Sequence, residues 1–131
     1  MIALDTNVLV RYLMQDDAAQ TPLANSVINA LTAEEPAFVS REVLVELFWV
    51  LERVYRRPKT DIALAIRSIL EGKEWRVEQF RWAVLALDRY EQGGAGFADQ
   101  MIRLAGHAAG CDSLVTFDAR LANELGVTRL G

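Results

Sequence analysis

Met1-Ile2-Ala3-Leu4-Asp5-Thr6-Asn7-Val8-Leu9 opens the chain and decides its fold class. Ile2-Ala3-Leu4 is short and uniformly apolar, which reads as a buried strand rather than a half-exposed one. The period then changes. From about Asn7, the residues Val8, Leu9, Tyr12 and Leu13 fall on one side of a helix that ends in the polar turn Asp16-Asp17.

The same alternation continues outward. Thr21-Pro22 starts a second helix, with Thr21 as cap and Pro22 at the first helical position, running to about Leu31. Ala37-Phe38-Val39 is a strand. Ser40 caps a long helix to about Arg56, which Pro58 stops; Thr60 caps the next, Asp61 to Glu71, closed by Gly72. Trp75-Arg76-Val77 is a third strand. Helices follow over residues 79–92 and 97–110, separated by glycines. Leu114-Val115-Thr116 is a fourth strand, Asp118 caps a short helix ending at Gly126, and 127–130 forms a fifth strand. Short strands alternating with helices imply an α/β fold with a parallel sheet covered on both faces. Such sheets carry their sites beyond the carboxyl ends of the strands. No repeat, low-complexity segment or linker interrupts residues 1–131, which predicts a single domain.

An apolar fraction of 52% suits one well-buried core. Three Trp, three Tyr and five Phe hint at self-association, with an ordinary core as the alternative. No apolar run approaches the ~20 residues of a membrane span, and the start reads as no signal peptide. The single cysteine, Cys111, fits a reducing cytoplasm and reads as a small core residue rather than a nucleophile. The net charge of −4 argues against a nucleic-acid binder, whose affinity comes mostly from cations. Bound metal would partly neutralise the acids, and Arg53, Arg56, Arg57 and Lys59 form a local basic stretch. The plainer reading of that stretch is a solvated helix end complementing the macrodipole.

Four carboxylates stand in apolar settings or at the ends of apolar runs: Asp5, Glu46, Asp99 and Asp118. Asp5 closes the first strand, and Asp118 follows the fourth. Both can be simple helix caps. Asn7, a poor helix former, is placed where its amide can orient Asp5. On the long helix, Val43, Leu44, Leu47, Phe48, Val50, Leu51 and Val54 share an arc, and Glu46 sits beside its edge. It can lean into a cleft or lie on the boundary with its head in water. Asp99 occupies the first turn of its helix, a favourable place for a negative charge in any event. Thr116 offers a hydroxyl near Asp118. Gathering four like charges costs repulsion, which a divalent cation removes, and hard Mg²⁺ or Mn²⁺ prefers oxygen ligands.

Together these segments resemble a PIN domain, and within it the VapC type of toxin ribonuclease. Leu4-Asp5-Thr6-Asn7-Val8-Leu9, Val45-Glu46-Leu47, Phe97-Ala98-Asp99-Gln100-Met101-Ile102 and Thr116-Phe117-Asp118 match its motifs in order across nearly the whole chain. The resemblance implies a three-layer α/β/α fold with one central parallel sheet of order 3-2-1-4-5. It implies a main acidic site of Asp5, Glu46 and Asp99 with Asp118 as fourth member, supported by Asn7 and Thr116. It further implies a homodimer and a partner antitoxin. Many relatives carry another acid just before the phenylalanine, where this chain has Gly96, so any ligand from that position is absent. The expected activity is Mg²⁺- or Mn²⁺-dependent endoribonuclease hydrolysis leaving 5′-phosphate ends.

Two other readings are open to the sequence. An aspartyl-phosphate enzyme or receiver domain is disfavoured, since Asp5-Thr6-Asn7 lacks a second acid two residues on and neither Lys59 nor Lys73 lies at a strand end. A non-catalytic binding module of the same fold would show no stabilisation by Mn²⁺.

Overall fold

The computed structural model describes all 131 residues, Met1–Gly131. It divides into two compact units, Met1–Gln79 and Phe80–Gly131.

The first unit holds strands β1 (Ile2–Ala3), β2 (Ala37–Val39) and β3 (Trp75–Val77), with helices α1 (Thr6–Met14), α2 (Gln20–Asn29), α3 (Arg41–Trp49) and α4 (Lys59–Glu71). The sheet is parallel with β2 at its centre, pairing Ala3 with Phe38 and Phe38 with Arg76. β2 is central because it is the most apolar strand: Ala37 and Val39 are fully enclosed. Ile2 and Ala3 are exposed, which corrects the expectation of a buried first strand. β1 is the sheet's edge, and burial starts at Leu4. The core beneath is built from Leu9, Leu44, Leu47, Ile62, Ile66 and Ile69.

Ser40 caps α3 as expected, its hydroxyl accepting from the Val43 amide at 3.2 Å. The long helix is not uniform, however. It runs on from Trp49 as one π-helical turn, Val50–Val54, and Tyr55 N–H reaches back to Val50 O. Two caps differ from expectation. Asp17, not Thr21, caps α2: its carboxylate accepts from the amides of Ala19 and Gln20, and the latter holds it below the usual carboxylate range. Thr21 is buried instead, donating to Arg11 O. Thr60 lies inside α4, which begins directly after Pro58.

The second unit holds α5 (Phe80–Glu91), α6 (Phe97–Ala108), β4 (Leu114–Thr116), a 3-10 turn (Leu121–Asn123) and β5 (Val127–Arg129). β4 and β5 pair in parallel, Val115 opposite Thr128. Ala83, Ala86 and Leu87 of α5 and Phe97, Ala98 and Met101 of α6 are all buried. Cys111 is exposed, which corrects its reading as a core residue: it follows the left-handed Gly110 in the turn after α6.

The α/β class and the parallel strand pairing are therefore as expected, and the order within each unit matches half of 3-2-1-4-5. The single central sheet is not found. The strands form two sheets, β1-β2-β3 and β4-β5. β1 is only two residues long and pairs with β2 alone. No helix is long and apolar enough to cross a membrane.

Candidate metal and phosphodiester site

Asp5 sits where β1 ends and α1 begins. Its backbone is extended, and its side chain accepts from the Thr6 amide at 2.9 Å. The cap reading of this residue is thus real, and it uses one carboxylate oxygen. Thr6 is the hinge of the local geometry. It is buried, and its hydroxyl donates to Glu46 Oε1 at 3.1 Å. One residue therefore bonds Asp5 through its backbone and Glu46 through its side chain, drawing together two acids 41 positions apart in sequence. Both are exposed, and Asp5 Oδ2 and Glu46 Oε2 remain free of protein partners.

The orienting role expected of Asn7 falls to Thr6. Asn7 is exposed and makes no hydrogen bond to Asp5. The sequence offered a signal for Thr6: a β-branched polar residue is a weak helix former, yet it occupies the first helical position beside an acid.

In the second unit, Asp99 is half-buried in the first turn of α6, which starts at Phe97 directly after its N-cap Gly96. Asp118 is exposed. Its carboxylate accepts from the Leu121 amide at 2.8 Å, and its own amide donates to Thr116 Oγ1 at 3.0 Å. Asp118 therefore caps the 3-10 turn, shorter than the helix expected there, and Thr116 supports its backbone rather than its carboxylate.

Nothing in the sequence reading pointed to Glu124, the most strongly held acid of the unit. It is buried, and its Oε1 accepts from Arg89 Nη2 at 2.8 Å, Gln100 Nε2 at 2.8 Å and Ala95 N at 3.2 Å, while Oε2 accepts from Arg89 Nε at 3.1 Å. The Arg89 guanidinium, with Gln100 and Ala95, outweighs burial and holds the carboxyl at about 2. Arg120 donates to Gly94 O on the same loop. Gly94 has no room for a side chain there: a Cβ would overlap Glu124 Oε1 and lie 2.8 Å from Arg89 Nη2. This network fixes the Gly94–Gly96 loop from which α6 and Asp99 start.

As a test of metal fit, the donor set is all oxygen, which suits Mg²⁺ or Mn²⁺. The side chains gather no group of three or more acids, histidines or cysteines close enough to hold an ion. What they do show is the Asp5–Thr6–Glu46 pair, with one free oxygen on each acid. Mg²⁺ commonly keeps several waters and takes only one or two carboxylates, so two carboxylates suffice in number and in donor type.

The sequence matches the PIN domain family over residues 2–124, which run through both units, and the chain belongs to that family. Its similarity runs to the VapC-type ribonucleases within it. It is 26% identical over 120 residues to a VapC ribonuclease of Aquifex aeolicus (strain VF5), covering 92% of this chain and 89% of that one. It also aligns with the crystal structure of VapC20 of Mycobacterium tuberculosis, a sarcin-ricin loop cleaving toxin, at 19% identity and a TM-score of 0.48 over 99% of this chain and 100% of that one.

Proposed function

We propose that this chain is a metal-dependent endoribonuclease, the toxin of a toxin–antitoxin pair, hydrolysing RNA phosphodiester bonds. The observation that carries the reading is the Asp5–Thr6–Glu46 arrangement. A helix cap needs one carboxylate oxygen, and a boundary glutamate needs no partner at all. Here a buried hydroxyl is spent on holding an exposed Glu46 to Thr6, the residue next to Asp5 whose amide also bonds the Asp5 carboxylate. Family membership supports the ribonuclease class.

Asp5 and Glu46 would hold Mg²⁺ or Mn²⁺, with Asp99 and Asp118 proposed from the motif order as the further ligands. The bound ion supplies a more acidic water and offsets charge on the phosphorane-like transition state. Asp5 would help to hold the ion, its cap bond occupying only Oδ1. Glu46, oriented through Oε1 by Thr6, presents Oε2 to ligate or to take a proton from attacking water. The one histidine, His107, is exposed at the end of α6, and no acid-base partner is bonded to it. Cleavage through the RNA 2′-hydroxyl therefore lacks its usual side-chain pair. The two units are read as halves of one PIN domain over 1–131, supported by a family match running through both. A cytoplasmic homodimer restrained by an antitoxin protein completes the proposal.

Digestion of RNA with Mn²⁺ and mapping of the new ends tests it. The expected products carry 5′-phosphates, and Asp5→Asn makes them about 10²–10³-fold more slowly. Cyclic 2′,3′-phosphate ends, or equal cleavage by Asp5→Asn, would overturn the assignment.

A further inference from the structure

The basic stretch that followed the long helix has a specific geometry. Glu46, Trp49 and Arg53 are all exposed and follow one another along the single rod formed by α3 and its π-helical turn. Arg53 lies over the Trp49 ring, its guanidinium carbon 5.3 Å from the centroid. Arg56 and Arg57 come next, also exposed. Arg53, Arg56 and Arg57 make no ion pair with any carboxylate, although the chain carries 18 acids against 14 Lys and Arg. Three unpaired like charges within five residues repel each other, and a helix end needs no such number to complement its dipole.

The backbone displays these cations firmly. Tyr55 N–H bonds Val50 O, and Arg57 N–H bonds Leu51 O at 3.0 Å. Tyr55 is anchored inward, its hydroxyl donating to Asp16 at 2.9 Å and accepting from Arg11. Arg56 takes a left-handed backbone, φ 51°, where glycine or asparagine is ordinarily at less cost. Local geometry therefore gives no reason for an arginine at that place.

We propose that Trp49, Arg53, Arg56 and Arg57 form a track for single-stranded RNA leading away from Glu46. The inference rests on the nuclease reading of Glu46 and adds how substrate is held. Glu46 and Arg53 are seven residues apart, roughly 10 Å along a helix axis, so a strand reacting at Glu46 lays its neighbouring nucleotides along the track. A base stacks on the indole or on the guanidinium plane, and the arginines neutralise phosphates. Stacking on a side chain needs an unpaired base, which selects single strands over duplex.

Fluorescence anisotropy with a labelled single-stranded oligoribonucleotide, in EDTA and over a salt series, tests the track. Asp5→Asn serves as the uncleaving background, with and without R53Q, R56Q and R57Q together. The triple change is expected to weaken binding at least about tenfold at low salt and to lower the slope of log affinity against log salt by about 2, the value for three single-strand phosphate contacts. Trp49→Phe is expected to abolish the tryptophan quenching that RNA produces. Unchanged melting of the variants excludes a folding effect. Unchanged affinity and slope, tighter binding of duplex than single strand, or a triple variant that only dissociates a dimer would each overturn the track. Wild-type cleavage of RNA alongside unchanged binding in the triple variant overturns the track alone. Wild-type protein that cleaves no RNA overturns the nuclease reading and the track with it.

Discussion

Two carboxylate environments in this molecule contrast sharply. Glu124 is buried, and both its oxygens are occupied by four donors from Arg89, Gln100 and Ala95. Asp5 and Glu46 are exposed, and each shows a single bond to Thr6. A buried carboxylate held by four protein donors has a structural task, because its charge and most of its acceptor capacity are already committed. A carboxylate oriented by one bond and otherwise open keeps its capacity for an ion or a water. The difference separates the acid that builds the Gly94–Gly96 loop from the acids proposed to carry the chemistry.

The contrast breaks most visibly if the two classes respond alike to mutation. Asp5→Asn keeps the cap, since Asn caps as well as Asp, so melting should stay within experimental scatter. Cleavage should fall by about 10²–10³-fold, the scale of losing one preorganised electrostatic group. A variant that loses stability and rate together would move Asp5 into the structural class.

Glu124→Ala should show the reverse. Removing one partner of a buried ion pair costs about 3–5 kcal/mol, and the 43% exposure of the Arg89 side chain lets water rescue part of it, so the low end is expected. Urea denaturation measures this. The pH dependence follows from the same residue. Its carboxyl titrates at about 2 in the folded chain against 4.5 ordinarily, so between those values the unfolded chain binds more protons. The stabilisation is complete above about 4.5 and drains away as pH falls toward about 2. Glu124→Gln should flatten that part of the stability profile. A profile that keeps its acid limb would place the sensitive group elsewhere.

Thr6→Val sharpens the comparison at its smallest scale. It removes the hydroxyl that aims Glu46 while preserving volume. A stability loss of about 1 kcal/mol is expected for a single hydrogen bond, with cleavage reduced about tenfold, as for groups that orient a ligand. Unchanged cleavage would mean that Glu46 orients itself.

Periodicity carried most of the fold. β2, β3 and β4 fall at the residues read from their apolar runs, and helix ends lie within a few positions of the expected ones. These elements are local, so their signals are local. Asp5 and Glu46 were visible for the same reason: a charge interrupts an apolar pattern at each. Thr6 was quoted inside its motif but given no task, because its bond to Glu46 joins residues 40 apart. Glu124 was hidden more deeply. It lies in a stretch expected to be a plain helix, and its partners are 24 to 35 positions away. The only trace was a run of small residues, Gly93-Gly94-Ala95-Gly96, whose second glycine lets Glu124 and Arg89 pack against the backbone. The π-helical turn left no trace, since the apolar arc of the long helix passes through it unbroken.

Titration with Mn²⁺ while following thermal unfolding tests the central claim most directly. An ion bound only by the folded chain at a hundredfold excess over its Kd adds about 2.7 kcal/mol, or roughly 10 °C for a domain of this size. Wild type and Glu124→Gln should both show that rise, and Asp5→Asn should show little or none. A wild-type melting temperature indifferent to Mn²⁺, or an equal rise in Asp5→Asn, would contradict the account.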